Sequence, residues 1–154
     1  MKLSMRSIFR CMMESGYYPA LEQTHIIFTM EDNLGVVEYE NGILSIRVFF
    51  SIDKDSCGLF LEASNSSMQE SYAVKAVVLD DMTNIMFSCE FPCDTEREFK
   101  KFFPRGIEML NTAIEIHKEE MKRLILAESI ASRNLAVLDD TFDPTSAPVR
   151  KILS

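Results

Sequence analysis

The sequence predicts an α+β domain in which helices cover one face of an antiparallel sheet. Residues 24–52 and 72–91 are rich in β-branched and aromatic residues and contain tight-turn signals. Residues 3–14 and 94–133 instead repeat apolar side chains every three or four positions, as amphipathic helices do. The predicted order is therefore helix, three-stranded antiparallel meander, short helix, β-hairpin and long C-terminal helix (α-β-β-β-α-β-β-α).

The first predicted helix covers residues 3–14. Its apolar positions include Leu3, Ile8 and Met12, which are separated by polar residues at helical spacing. The helix is expected to end at Gly16, because glycine adopts the left-handed conformation of a helix C-cap without strain. The segment that follows, "YYPALEQT", is predicted to be a connection without secondary structure.

Three strands are predicted in "HIIFTMED", "GVVEYEN" and "ILSIRVFFSID". Asn41–Gly42 separates the second from the third, and this pair tolerates the positive φ angles of a two-residue hairpin. In the third strand one alternating set is wholly apolar, from Leu44 to Phe50, and the other is mixed. This alternation indicates a sheet that is covered mainly on one side.

A short helix and a hairpin are predicted next. Helical spacing in "DKDSCGLFLEASNSSMQES" indicates the helix. The hairpin joins the apolar runs Tyr72–Leu79 and Asn84–Phe91 through a turn at Asp80–Asp81, and Pro92 ends it. With the meander, this hairpin gives a predicted sheet of five antiparallel strands.

The long helix has the strongest signal in the sequence. Thr95 follows Asp94 and precedes Glu98 by three positions, which is the pattern of a capping box. The apolar stripe behind it extends for about seven turns. Its members are Phe99, Phe103, Ile107, Leu110, Ile114, His117, Met121, Leu124 and Ile125. Residues 1–133 are therefore predicted to form a single domain, and residues 134–154, which lack a period, a flexible or loosely docked tail.

The composition limits the possible functions. The 154 residues include 24 acidic and 16 basic side chains, for a net charge of −8. This balance argues against binding to nucleic acid, which needs clustered lysine and arginine. No apolar run approaches the ~18 residues of a membrane span, so no membrane association is expected. The N-terminal segment lacks a signal-peptide pattern, and the four cysteines form no disulfide framework, which predicts a cytoplasmic protein.

The order of elements resembles that of type III secretion chaperones and of YbjN-like bacterial proteins. The resemblance covers roughly residues 5 to 130 and rests on the meander at 24–52, the short helix with "EASNSSMQES", the hairpin "YAVKAVVLDDMTNIMFSCEFP" and the capped helix from Asp94. YbjN-like sequences are also similar in a strand lysine, here Lys75, and in a strand that ends near Pro92. The resemblance implies a small acidic protein that dimerises or binds protein segments, without catalysis or cofactors.

One alternative is a small metal-binding or thiol-based protein that uses Cys89, Cys93 and His117. The C-x3-C spacing is the nearest feature to a metal signature, but zinc would need further ligands such as Cys57, Cys11 or His25. No second close pair of ligands is present in the sequence. Free cysteines within apolar segments and a histidine within an apolar stripe are more often structural residues.

The main functional prediction concerns a second apolar row on the long helix. Phe102, Met109, Ala113 and Ile116 lie beside the first stripe, and a helix with two apolar rows is often covered twice. We predict that this row binds a partner, either an unidentified protein segment or a second copy of the chain as a homodimer. The sequence contains no nucleophile elbow, phosphate loop or calcium loop, so the predicted protein is a non-enzymatic interaction module with no cofactor.

Overall fold

The computed structural model of the chain describes residues 2–71 and 73–139, with side chains to Leu135. It contains three α-helices and six strands. In chain order the elements are α1 (Met5–Glu14), β1 (Ala20–Leu21), β2 (Ile26–Met30), β3 (Asn33–Glu40), β4 (Ile43–Ser51), α2 (Cys57–Met68), β5 (Val74–Val78), β6 (Asn84–Pro92) and α3 (Glu96–Asp139). The predicted α+β class and element order are confirmed.

The strands form one antiparallel sheet in the order β1-β2-β3-β4-β6-β5. It has six strands rather than the five predicted, because Ala20–Leu21 pairs with β2 at its outer edge. Both residues of β1 are exposed, so this strand has no apolar alternation that the sequence could show. Asn41 and Gly42 have φ angles of 53° and 77°, which confirms the tight hairpin between β3 and β4.

All three helices pack against one face of the sheet, which we call the covered face. Leu44, Ile46 and Val48 of β4 point to it and are each 0% exposed. Aromatic rings from the segment between α1 and β1, from β2 and from α3 meet there. Tyr17 and Phe28 both lie edge-on to Phe103. The core lies between this face and the helices, where the apolar stripe of α3 was predicted to lie.

The other side of the sheet, the open face, has no helix over it among the described residues. It carries the alternate residues of the same strands, including Ser45, Arg47 and Phe49 of β4 and Ser88 of β6. Arg47 forms an ion pair with Glu38 at 3.3 Å across β3 and β4. The two faces therefore correspond to the apolar and mixed sets predicted from the alternation in β4.

Helix α3 begins as the capping pattern predicts. The Thr95 hydroxyl accepts a hydrogen bond from the Glu98 amide at 3.1 Å, and the Glu98 carboxylate accepts one from the Asp94 amide at 3.2 Å. The helix continues to Asp139, so the predicted boundary between domain and tail, at 133–134, falls inside it. The rest of the predicted tail, residues 140–154, lies outside the described residues.

No described helix is both long enough and apolar enough to cross a membrane.

Candidate protein-binding groove

The predicted partner-binding row on α3 is only partly accessible. Phe102, Met109 and Ile116 are each partly exposed. Ala113 is 1% exposed and belongs to the core, so its side chain is not accessible to a partner in this structure. It belongs to the same core cluster as its stripe neighbours Leu110 and Ile114.

Two members of that row, Phe102 and Met109, line a cavity of about 450 Å³ between α3 and the end of β6. We call this cavity the α3–β6 groove. Its other lining residues are Ala73, Cys89, Glu90, Phe91, Pro92 and Arg105. Ile116 lies outside this groove, among polar and acidic residues farther along the helix.

Gly106 sets the distance between α3 and the sheet beside the groove. A Cβ atom at this position would lie 2.8 Å from Ile46 Cδ1 and 3.2 Å from Phe91 Cε1. The absence of a side chain therefore lets the helix approach β4 and β6 closely. The rings of Phe91 and Phe102 then meet edge to face with 6.2 Å between centroids, and they form the apolar wall of the groove.

On the β5 side, residues 90–92 of β6 have no partner strand among the described residues, and we call this stretch the free edge. Strand β5 starts at Val74, opposite Cys89, so residues 90–92 of β6 extend past their neighbour on that side. The Asn84 carbonyl accepts a hydrogen bond from the Leu79 amide on the β5 side, and every second residue of an antiparallel strand points the same way, so the backbone of Glu90 points toward this side. Pro92 lacks an amide hydrogen and limits how far another strand could continue. On β5, the edge strand itself, the Ala76 amide donates a hydrogen bond to the Met68 sulfur at 3.2 Å.

Charges at the groove have both signs. Arg105 is exposed and contributes the cation. Glu90 is exposed as well, but it pairs with Lys75 at 3.6 Å on the open face. Arg105 has no ion-pair partner among the described residues. It is therefore available to an acidic group of a molecule that enters the groove.

Cys89 and Cys93, the basis of the metal or thiol alternative, are both buried. Burial raises the pKa of the Cys89 thiol, and burial with Glu98 and Asp94 nearby raises that of Cys93 to about 11. Thiols with raised pKa values are poor nucleophiles and poor metal ligands near neutral pH, because the thiolate is the reactive form. The described residues contain no group of three or more His, Cys, Asp or Glu side chains that could hold a metal ion.

His117 is a core residue in a different part of the molecule. It is 4% exposed, and its Nε2 lies 3.1 Å from the Ser64 hydroxyl of α2. Because the Ser64 hydroxyl donates to the Phe60 carbonyl at 2.7 Å, Nε2 carries the proton and donates to Ser64. Burial lowers the pKa of His117. These contacts describe a neutral core histidine with one ring nitrogen satisfied by a neighbour, as the sequence favoured.

The sequence predicts Phe102 and Met109 as partner contacts, but it gives no indication of Phe91, Arg105 or the free edge, which belong to the same groove. Phe91 was placed in a strand, and nothing in its neighbourhood indicated that the strand extends past its partner. The two predicted hairpin runs are equally long, so they contain no signal for the overhang. It follows from the register of the hairpin, in which Val74 pairs with Cys89.

No known protein family matches the sequence, and no curated protein matches it. The fold is similar to the crystal structure of YbjN from E. coli, a proposed transcription regulator. The TM-score is 0.63 at 10% identity, over 79% of this chain and 94% of YbjN. An uncharacterised protein from Methanothermobacter thermautotrophicus is also similar, with a TM-score of 0.57 at 11% identity, over 79% of this chain and 99% of that protein.

At these identities the likeness establishes a shared fold. The YbjN-like fold predicted from the sequence is confirmed in this sense. The resemblance to type III secretion chaperones stays a prediction.

Proposed function

We propose that this chain is a non-enzymatic interaction module that binds an extended segment of a partner protein in the α3–β6 groove. The observation that carries the proposal is the coincidence of an apolar cavity with residues 90–92 of β6, which no described strand pairs with on the β5 side. Extended peptides add to such edges through backbone hydrogen bonds, and pockets beside the edge select their side chains.

The chemistry of the groove specifies the segment. An apolar side chain would enter between Phe91, Phe102 and Met109, because these side chains form the wall. An acidic side chain next to it would pair with Arg105. The free edge is only three residues long and ends in proline, so the backbone contribution is small and the pocket supplies most of the selectivity.

Other features support the class of function. The proteins of similar fold are described as a proposed regulator and as uncharacterised. The four cysteines are free thiols, which supports action in the reducing cytoplasm. The alternative that uses Cys89, Cys93 and His117 has no comparable support, because the two thiols are protonated in the core and the histidine is hydrogen-bonded to Ser64.

The test is a selection of random peptides by display on the full chain, followed by affinity measurements with variants. We expect selected peptides to combine a large apolar residue with an acidic one. Met109→Glu should abolish their binding, since it places a charge inside the groove. The matched control is Met13→Glu on α1. Met13 is 51% exposed and does not line the groove, so this variant should bind as the parent does.

A charge reversal sharpens the test. Arg105→Glu should lower the affinity for acidic peptides and raise that for basic variants of the same peptides. Binding that survives Met109→Glu in a folded protein would overturn the proposal. Light scattering tests the other possible occupant, a second copy of the chain. If no peptide is selected and Met109→Glu converts a dimer to a monomer, the groove holds that second copy and the peptide proposal fails.

A further inference from the structure

A second cavity, of about 320 Å³, lies farther along α3, between this helix, α2 and the ends of β4 and β6. We call it the His117 pocket. Its apolar wall is formed by Phe50, Ile52, Phe60, Ile85, Phe87 and Ile114. The volume lies near the lower end of the ~300–1,000 Å³ typical of small-molecule sites, and such sites combine an apolar lining with a few polar groups.

The charged groups that line this pocket have one sign. They are Lys118 and Lys122, one helical turn apart on α3, and no acidic side chain is among the described lining residues. This is unusual in a chain with a net charge of −8. Long lysine side chains line apolar surface with their methylene groups and keep the ammonium group at the water boundary. The pocket is therefore apolar inside and cationic at its mouth.

The existing ion pairs of these lysines do not prevent them from binding an anion. Lys118 pairs with Glu115 at 3.3 Å and Lys122 with Glu119 at 3.2 Å. All four side chains are more than half exposed, at 53% and 66% in the first pair and 74% and 71% in the second. Exposed pairs of this kind contribute little to stability, so either lysine can turn toward a ligand at low cost.

His117 gives the pocket one neutral polar group. Its ring stacks on Phe60 with 6.0 Å between centroids and lies edge-on to Phe87 at 5.2 Å. Nε2 donates to Ser64, and Nδ1 has no hydrogen-bond partner among the described residues. Because burial lowers its pKa, His117 stays uncharged at neutral pH and the positive charge remains at the mouth.

We propose that the His117 pocket binds a small amphipathic carboxylate, with its hydrocarbon body against the apolar wall and its carboxylate between Lys118 and Lys122. The site is separate from the α3–β6 groove and does not depend on the function proposed for it. Charge selects the ligand: an alcohol of the same length would lose the ion pairs, and an ammonium compound would meet two like charges.

Isothermal titration of the full chain with octanoate tests the proposal. We expect saturable binding of one octanoate per chain, with octan-1-ol at least tenfold weaker and octyltrimethylammonium weaker still. Equal affinity for the three probes would overturn the proposal and indicate a general apolar surface. Failure of octanoate to saturate the protein at millimolar concentration would also overturn it.

Variants locate the site. Lys118→Gln with Lys122→Gln should lower octanoate affinity about tenfold, to that of octan-1-ol, and leave octan-1-ol binding unchanged. The control, Lys100→Gln with Lys101→Gln, removes the same charge from the same helix far from the pocket and should bind octanoate as the parent does.

Filling the pocket provides a test that does not depend on charge. Met121 lines the pocket and is partly exposed, so Met121→Trp should occupy the cavity without disrupting the core. We expect this variant to melt as the parent does and to lose both octanoate and octan-1-ol binding. Unchanged octanoate binding in the folded variant would place the ligand elsewhere and overturn the proposal.

Discussion

The covered and open faces of the sheet are built from the same strands, but they differ in packing and in polarity. On β4, Leu44, Ile46 and Val48 are fully buried beneath the helices, whereas Arg47 and Phe49 on the opposite face remain partly exposed. The covered face and the apolar sides of the helices form one core. The α3–β6 groove and the His117 pocket both open at its margins beside α3. The difference indicates that stability is concentrated on one face.

The polar groups of the two faces differ as well. On the covered side, the Ser64 hydroxyl of α2 bonds to both His117 and the Phe60 carbonyl. On the open side, the hydroxyls of Ser45 and Ser88 are buried among their neighbours without a hydrogen-bond partner in the described chain. The buried hydroxyl of Ser64 on the covered side is therefore satisfied by hydrogen bonds, and those of Ser45 and Ser88 on the open side are not.

The largest expected effect comes from aromatic truncation on the covered face. Phe103 is 2% exposed and its ring meets Phe99 at 4.8 Å and Tyr17 at 5.2 Å. Phe103→Ala should lower the free energy of unfolding by about 3–5 kcal/mol. The same change at Phe49, on the open face, should cost about 1 kcal/mol, in the ordinary range for partly exposed sites. Urea unfolding measures both, and equal losses would remove the distinction between the faces.

A smaller effect is expected from a single added methyl group. Gly35 of β3 lies under the Phe28 ring, and a Cβ atom there would be 2.5 Å from Phe28 Cε1. Gly35→Ala should destabilise the protein by about 3 kcal/mol, because the ring belongs to a packed core and cannot move freely.

The matched control is Gly58→Ala in α2. A Cβ atom at Gly58 would have no neighbour within 4 Å, so this variant should gain about 0.5–1 kcal/mol from helix propensity. Thermal melting of both variants is sufficient. If Gly35→Ala melts at the same temperature as the parent, the covered face has enough free volume for a methyl group at this position.

Removal of two serine hydroxyls compares the polar groups of the faces directly. Ser64→Ala leaves the buried Nε2–H of His117 without its acceptor and should cost about 1–2 kcal/mol. Ser88→Ala removes a hydroxyl that has no partner, so the free energy of unfolding should be unchanged or slightly higher. Chemical denaturation gives both values. A loss at Ser88 as large as that at Ser64 would show that the open-face hydroxyl has a partner, such as a bound water.

Much of the fold could be predicted because local signals agreed with the tertiary structure. The alternation in β4 distinguished the two faces, the Asn41–Gly42 turn fixed one hairpin, and the Thr95 cap located the start of α3. Strand β1 could not be predicted, because two exposed residues have no pattern and pair only through the register of β2.

The candidate site was predictable only in part, for a related reason. Periodicity places Phe102 and Met109 on a flank of α3, but how deeply that flank is buried depends on how closely the helix approaches the sheet. Gly106 determines this distance, and its close neighbours Ile46 and Phe91 lie far away in sequence. Helical spacing alone likewise grouped Ala113 with the exposed row, although Ala113 is buried in the core.

The smallest expected effect is a dependence of stability on pH that originates in the covered side. Burial lowers the pKa of His117 below its ordinary value of 6.5, so the unfolded chain binds more protons than the folded one between the two values. The contribution of neutral His117 to stability is therefore fully present above pH 6.5 and is lost as the pH falls through the lower pKa of the folded state. The pKa of Asp81 is also lowered, but from 3.8, so this carboxyl titrates below the window. Urea unfolding between pH 8 and pH 5 should show a decline in the parent and in His25→Gln, the variant of the other histidine. In His117→Gln, whose amide can still donate to Ser64, the decline should be reduced. If the parent and His117→Gln decline equally, the buried histidine is not the source of the decline, and the prediction is wrong.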